Sequence, residues 1–250
     1  MPLAEKMTQL FHAASRWNQR RIGITGATGS LGRALTKTLR RKGCIVIGLT
    51  HGSIPKKPSS AEDPHEWVRW QCGEEKKLDD TLKDLDILIL NHGINPHGSQ
   101  TPEALTSTLE VNALSSWRLI QRFESLIASA EVNPPRELWI NTSEAEIQPA
   151  LSPAYELSKR LIGQLVSLRW YNRSQDQKRD LRIRKLVLGP FRSELNPIGL
   201  MAADVVAKNV ILQAEMGFNL IIVTPNPLTY IFMPITELVR FIYSNLVRQR

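Results

Sequence analysis

The 250-residue sequence predicts an α/β protein, a doubly wound parallel sheet in a three-layer αβα arrangement. Three observations carry that expectation. Short apolar runs of β-type residues alternate along the whole chain with stretches of helical spacing. One of those runs, Cys44–Leu49, is apolar throughout, as a strand covered on both faces should be. The first strand runs directly into a turn with glycines at 26, 29 and 32, which opens a helix.

The elements follow in order. Residues 4–19 place Met7, Leu10, Phe11 and Ala14 at helical spacing, a leading helix that packs on the body of the domain with Trp17 closing it. Ile22–Ile24 is the first strand. Leu31–Lys42 is a helix ended by Gly43, which suits the position just past a helix end. Cys44–Leu49 is the second strand, followed by a Pro/Ser-rich surface loop from His51. Trp67–Gln71 is a short third strand and Asp79–Leu85 a brief helix. Asp86–Asn91 is the fourth strand, turning at His92-Gly93. Thr101–Ala130 reads as one long helix or two, with Pro102 at a first-turn position. Glu137–Asn141, Arg182–Leu188 and Asn219–Val223 complete the strands; helices over Ala154–Asn172 and Ala202–Met216 lie between them. Ile235–Arg248 is an amphipathic helix, Leu238, Phe241, Ile242 and Leu246 against Arg240, Arg248 and Arg250. No repeat or low-complexity stretch interrupts the pattern, so residues 1–250 read as one domain, with a leading helix in 1–19 and a terminal helix in 235–250.

Composition bounds the function. A chain of this length buries a full core, and 42% hydrophobic residues is ordinary for a globular protein. The net charge of +8 favours an anionic ligand or surface. There is no basic stripe with interleaved aromatics and no zinc-finger spacing, which argues against nucleic acid. Cys44 and Cys72 are the only cysteines and are expected as free thiols in a reducing, cytoplasmic setting. The N-terminus lacks the apolar core of a secretory signal. The longest apolar stretch, 216–236, is broken by Pro225, Pro227 and Pro234 and is not expected to span a bilayer.

In a doubly wound sheet, right-handed crossovers bring the carboxyl ends of the strands to one edge, where ligands bind. The residues just past each strand are therefore the candidates: 25–32, Thr50 and His51, Asn91–Gly93, Asn141–Glu144 and 189–193. The glycine turn with its following helix suits a pyrophosphate: backbone without Cβ allows close approach, and the helix start offers free N–H groups. Tyr155 and Lys159 stand four apart on a predicted helix and share a face. An ammonium beside the phenol lowers its pKa from the usual value of about 10, which makes Tyr155 a usable acid/base near neutral pH. By itself the pair reads as a packed tyrosine beside a solvated lysine; the glycine turn gives it chemical meaning.

Together these motifs resemble the short-chain dehydrogenase/reductase family, over about Ile22 to Leu195 and in the family's order. Thr25-Gly-Ala-Thr-Gly-Ser-Leu-Gly32 resembles the cofactor glycine motif, and Asn91-His92-Gly93 the Asn-Asn-Ala-Gly turn. Asn112 in Glu-Val-Asn-Ala matches the helix asparagine, and Tyr155 with Lys159 the Tyr-x-x-x-Lys pair. Leu188–Ser193 resembles the segment that contacts the nicotinamide carboxamide, which puts Ser193 in that role. The resemblance implies a Rossmann-type fold, a dinucleotide cofactor and a homodimer or homotetramer. It implies Asn112, Ser143, Tyr155 and Lys159 as catalytic residues: Tyr155 gives a proton to a carbonyl oxygen, Lys159 lowers its pKa and holds the nicotinamide ribose, Ser143 binds the carbonyl, and Asn112 holds a water. It implies cofactor contacts from Gly26, Thr28, Gly29, Ser30, Leu31, Gly32, Thr50, His51, Asn91, Gly93, Tyr155, Lys159, Gly189 and Ser193.

Some residues depart from the family pattern. The glycine spacing, with Gly29 in the middle, is nearer the family's extended branch. Ile-Asn-Thr-Ser-Glu leaves Thr142 and Ser143 competing for the serine role; matching Asn141 favours Ser143. Glu144, beside the carbonyl site, is expected to turn outwards. His92 replaces a small residue, and with no third ligand near it and His97 no metal is expected. The end of the second strand holds Thr50, His51, Gly52 and Ser53, with no carboxylate to repel a 2′-phosphate and with Arg33, Lys56 and Lys57 close by, so NADP is expected over NAD. Residues 191–201, with Leu195, Pro197, Ile198 and Leu200, are expected to form a small apolar lid. The terminal helix has two readings, packing on the domain or a partner copy, which is preferred, and contact with an anionic membrane surface. The leading function is an NADP(H)-dependent oxidoreductase acting on a small-molecule carbonyl or secondary alcohol. The alternatives are a non-catalytic nucleotide-binding scaffold and an epimerase or dehydratase; the last fits the glycine spacing, but a chain of this length is expected to leave little room for the sugar-nucleotide region such enzymes usually carry.

Overall fold

The structure is a computed structural model that describes residues 17–54, 60–127 and 135–248. Most of the predicted leading helix, and Lys56 and Lys57, lie outside the described residues. Seven strands form one sheet: β1 (Arg21–Thr25), β2 (Ile45–Thr50), β3 (Glu66–Arg69), β4 (Ile87–Leu90), β5 (Arg136–Ser143), β6 (Leu181–Leu188) and β7 (Leu220–Val223). The order across the sheet is β3-β2-β1-β4-β5-β6-β7. Every neighbouring pair is parallel; Ile24 of β1 lies opposite Gly48 of β2 on one side and Ile89 of β4 on the other. Winding therefore reverses between β1 and β4, and the crevice beyond their carboxyl ends is the switch point where ligands of such sheets bind.

The helices are α1 (Ser30–Arg41), α2 (Asp79–Lys83), α3 (Pro102–Leu109), α4 (Ser115–Ile127), α5 (Pro153–Asn172), α6 (Gln175–Asp180), α7 (Ala203–Glu215) and α8 (Thr229–Arg248). Each face of the sheet has its own core. Leu35 and Leu39 of α1 meet Val210 and Ile211 of α7 on one face, with Trp17 edge-on against Trp139 at 6.0 Å. Leu82, Phe123, Ile162 and Val166 fill the other. The doubly wound, three-layer architecture is the one the alternation predicts. Cys44 is buried and Cys72 half-buried, both as free thiols, and burial pushes the Cys44 thiol up to about 12.

Four local features differ from the sequence expectation. Of the one long helix or two read from Thr101 onward, the structure has two, and the turn of π-helix between α3 and α4, Glu110–Leu114, is the unanticipated part. The short helix α6 is added; its start is fixed by a reciprocal cap between Ser174 and Gln177. The last helix begins at Thr229 rather than Ile235 and contains Pro234. Pro234 lies only five positions past Thr229, so its missing N–H removes a single bond in the second turn.

The fourth difference concerns how α8 packs. It does pack on the domain, but through its polar stripe. Thr229, Met233 and Glu237 are buried, while the apolar stripe the sequence marks, including Leu238, Phe241, Ile242 and Leu246, is exposed. The cause is Lys185, fully buried in β6. Its Nζ donates to Glu237 Oε1 at 2.9 Å and to Glu146 Oε2 at 2.6 Å. It also donates to the Gly163 carbonyl at 3.0 Å and to Ser167 Oγ at 3.1 Å. Arg240 joins from α8, 2.8 Å from Glu237 and 3.5 Å from Glu146. A buried ammonium requires opposite charge, and α8 supplies half of it.

Candidate active site

The glycine turn joins β1 to α1. Gly26 has φ +64°, and a Cβ there would lie 2.9 Å from the His92 backbone, so this position needs glycine on both counts. Gly29 caps α1 without a side-chain cap, and the first turn of α1 has no acidic residue. A Cβ at Gly29 would meet only the Gly26 carbonyl, at 3.4 Å. The α1 start thus presents uncapped N–H groups across open space, which is the chemistry an anionic phosphate requires.

Thr25 fixes this turn to the one after β4. Its Oγ1 donates to the Ile89 carbonyl and accepts the Asn91 N–H at 2.8 Å and the His92 N–H at 3.2 Å. His92 packs edge-on against Trp70, with Nδ1 2.8 Å from Thr25 Oγ1. Burial, with Lys159 nearby, lowers the His92 pKa to about 4, so the ring is neutral and structural. Among the described residues no group of three His, Cys, Asp or Glu converges to hold a metal ion.

Across the crevice, Ser143 ends β5 and Tyr155 and Lys159 occupy the start of α5. Lys159 Nζ lies 5.6 Å from the Tyr155 ring centre and donates to the Asn141 carbonyl at 3.1 Å. Ser143 is placed to hydrogen-bond with the Tyr155 hydroxyl. Thr142 is turned into the sheet, donating to the Leu186 carbonyl at 3.1 Å. Of the two competing residues, Ser143 is the one beside Tyr155. The expected fall of the tyrosine pKa is not what the structure gives: burial pushes Tyr155 up, with the Ser143 hydrogen bond acting in the other direction. Burial also lowers Lys159, to about 8, against the opposing pull of Glu146. Glu144 accepts from Thr224 Oγ1 at 2.6 Å and Thr229 Oγ1 at 3.2 Å, which ties its carboxylate to the start of α8.

These groups line one cleft of 1530 Å³. Of the predicted residues it brings together Gly26, Thr28, Gly29, Ser30, Leu31, His51, Asn91, Gly93, Ser143, Tyr155, Lys159, Gly189 and Ser193. Three predicted residues do not line it. Gly32 is packed under the turn, where a Cβ would lie 2.2 Å from the Gly26 carbonyl. Thr50 is buried, its hydroxyl accepting the Gly52 N–H at 3.1 Å. Asn112 sits behind the wall in the π-turn. Its Oδ1 accepts the Ile94 N–H at 2.8 Å. Its Nδ2 donates to the Ile94 carbonyl at 3.0 Å and to Ser158 Oγ at 2.9 Å. Both amide hydrogens are thus engaged, and Asn112 is a positioning residue joining the loop after β4 to α5.

Asn141, a strand-end candidate with no role assigned from sequence, donates from Nδ2 to Asn91 Oδ1 at 3.1 Å while its carbonyl holds Lys159. Sequence reasoning also gave no role to Asn95, which donates to the Leu195 carbonyl at 3.3 Å. Neither lies in a spacing pattern; their partners are 50 and 100 residues away. Residues 191–201 form a wall pinned by pairing of Phe191 with Met201 and of Ser193 with Asn196.

The profile of the NAD dependent epimerase/dehydratase family matches residues 22–192. The chain belongs to this family. The match agrees both with the short-chain dehydrogenase/reductase resemblance of these motifs and with a glycine spacing near that family's extended branch. Monoglucosyldiacylglycerol epimerase from Synechocystis sp. is 39% identical over 220 residues, 87% of this chain and 52% of that protein. The chain spans about half the length of the curated relative it matches. The fold recurs in short-chain dehydrogenases. Thermoplasma acidophilum aldohexose dehydrogenase superimposes with a TM-score of 0.68 at 14% identity, over 84% of this chain and 94% of that one. A Burkholderia cenocepacia short chain dehydrogenase in complex with NADP gives 0.66 at 17% identity, over 82% and 88%. BdcA in complex with NADPH gives 0.64 at 17% identity, over 83% and 93%.

Proposed function

We infer that this epimerase/dehydratase-family chain inverts a secondary alcohol carbon on the sugar of a glycosylated glycerolipid, using a nicotinamide dinucleotide, with NADP preferred. The observation that carries the reading is the placement of Tyr155, Ser143 and Lys159 on one wall of a cleft whose other wall is the uncapped glycine turn. The relative named for a monoglucosyldiacylglycerol substrate supports the substrate class. The cleft's volume, above the 300–1,000 Å³ or so of most small-ligand sites, supports room for two bound molecules.

The turn at Gly26–Ser30 would hold the pyrophosphate and Ser193 the far end of the cofactor. The bound dinucleotide supplies the acceptor and donor of hydride, which no side chain can be. Tyr155 takes the proton from the sugar hydroxyl as that carbon is oxidised and returns it when the carbon is reduced from its opposite face. Its burial keeps the phenol protonated in the resting chain, so Lys159 acts by stabilising negative charge on the phenolic oxygen while the proton is away. Ser143 donates to the same substrate oxygen and aligns it with Tyr155. For the NADP preference, Arg33 and His51 at the cleft edge supply positive charge and hydrogen-bond donors where an NAD-selective site carries a carboxylate.

The test is incubation of the purified chain with monoglucosyldiacylglycerol in detergent micelles and a trace of NADP⁺ or NAD⁺. The expected result is a stereoisomeric glycolipid of unchanged mass with no net reduced nicotinamide. Tyr155→Phe should lower the rate by about 10²–10⁴-fold while dinucleotide binding persists. Steady accumulation of reduced nicotinamide would make the chain a dehydrogenase instead. Dinucleotide binding with neither reaction would leave the scaffold reading.

A further inference from the structure

We propose that the outward face of α8 seats the chain on the surface of an anionic lipid bilayer, with the mouth of the cleft turned toward the lipid. Ordinary surface helices hide their apolar stripe and expose their charges; α8 does the reverse. Ile231, Ile235, Leu238, Ile242 and Leu246 form one stripe at helical spacing, each between 48% and 62% exposed. Every exposed position from Tyr230 to Leu246 is apolar or aromatic. The charged side chains described on this helix, Glu237 and Arg240, are held inward by the Lys185–Glu146 pair. An uninterrupted apolar strip of this kind marks an interaction surface.

A bilayer surface fits it better than a second copy of the chain. No helix among the described residues is long and apolar enough to cross a membrane, and the inward charges hold α8 against the domain, so the fit is to the interface plane. The chain carries a net charge of +8, and its sequence continues from the apolar strip into Arg248-Gln249-Arg250, which complements an anionic head-group layer. The start of α8 is also joined to the cleft wall. Gln148 donates to Thr229 Oγ1 at 2.8 Å and accepts from Asn226 at 2.7 Å, and Glu144 accepts from Thr224 and Thr229. Three residues beyond Gln148, Leu151 is 90% exposed on the cleft rim. Ile198 and Leu200, at 75% and 74%, complete an apolar rim. A partner copy covering both rim and helix would seal the mouth, whereas lipid covers both and leaves acyl chains beside it. The orientation of the mouth rests on the glycolipid reading above; the seating of α8 does not.

The experiment is co-sedimentation of the full chain with vesicles of phosphatidylcholine, with and without phosphatidylglycerol, alongside analytical ultracentrifugation without lipid. The chain should pellet with the phosphatidylglycerol vesicles and less with phosphatidylcholine alone. Ile235→Glu with Leu238→Glu should weaken partition on the order of a hundredfold. Both sites are exposed, so thermal melting and dinucleotide titration should stay unchanged and report that the variant is folded. A chain that stays in the supernatant with anionic vesicles overturns the proposal. So does a lipid-free dimer that the double variant dissociates while neither protein binds vesicles, which assigns the face to a second copy. Epimerisation of micellar glycolipid is scored separately: vesicle binding without turnover defeats the functional reading and leaves the seating, and turnover without vesicle binding does the opposite.

Discussion

Replacing Lys185 by Met is the sharpest test of the buried charge cluster beneath α8. Methionine keeps most of the volume and removes the ammonium. Glu146 and Glu237 then share one buried site with only Arg240 as counter-ion, 3.5 and 2.8 Å from them. Removing one partner of a buried ion pair costs about 3–5 kcal/mol, because the remaining charge stays desolvated. For a domain of this size each kcal/mol moves Tm by about 2–4 °C, so the variant should melt roughly 6–20 °C lower. The pH dependence supplies a second signature. Burial pushes the Glu237 carboxyl up, but the Lys185 charge and the hydrogen bonds from Tyr171, Lys185 and Ser167 outweigh it and hold the pKa below the usual value. A depressed carboxylate stabilises the fold above its unfolded pKa of about 4.3 and loses that contribution as pH falls through the folded value. Without Lys185 that contribution goes, so the gap between wild type and variant should be widest near neutrality and narrow as pH falls below about 4. Adding Glu237→Gln should restore part of the loss, since the two sites are coupled. Urea unfolding across pH measures all of this. A loss under about 1 kcal/mol, or a gap that does not change with pH, would refute a desolvated cluster.

Other outcomes follow from the site. Lys159 has its pKa lowered to about 8 by burial, so the cleft loses a positive charge as pH rises through that value. Dinucleotide affinity, followed by fluorescence titration, should fall across it, and Lys159→Met should abolish the inflection. For stability the sign is opposite: between about 8 and the unfolded value the unfolded chain holds more protons, so this group makes stability rise with pH. Arg33→Ala should weaken NADPH about tenfold and leave NADH nearly unchanged, measured by parallel titrations. Asn112→Ala leaves the Ile94 N–H and carbonyl without their partner and should cost about 2 kcal/mol in denaturant unfolding, with kcat falling more than KM rises as the Tyr155 end of α5 loosens.

The sheet was readable because its strands are short apolar runs bounded by turn residues, and the reading edge followed from winding alone. The glycine turn, Tyr155, Lys159 and Ser143 were readable because their spacing is local. What spacing does not carry is long-range polar pairing. Arg184 and Lys185 are charged positions in β6 whose spacing does not say what they face, yet both are fully buried. Arg184 donates to Glu137 at 2.7 Å across 47 residues, and Lys185 to Glu237 across 52. Thr50 was expected among the cofactor contacts because it ends the second strand, but it is buried and its hydroxyl accepts the Gly52 N–H of the turn it starts. Asn112 was found by motif, but its contacts were not, because its partners Ile94 and Ser158 come from two other segments.

The orientation of α8 shows why amphipathicity alone does not say which face is buried. Turned half a rotation, the helix would cover its apolar stripe. Five half-exposed aliphatic side chains at about 1.5–3 kcal/mol for full burial leave roughly 4–7 kcal/mol unrealised in water. Against this stands the about 3–5 kcal/mol lost if Glu237 leaves Lys185 in β6 with one carboxylate fewer. The two quantities are close, so the inward position of Glu237 and Arg240 holds the helix at little net cost in water. Covering the exposed stripe with lipid restores the first term without disturbing the second. The same Lys185 that fixes the rotation of α8 therefore also makes its outer face apolar, and Lys185→Met should weaken vesicle binding although the residue is buried beneath the helix. Co-sedimentation at a temperature well below the variant's melting point separates this effect from unfolding. Unchanged partition there would mean that α8 holds its rotation for some reason other than the charge beneath it.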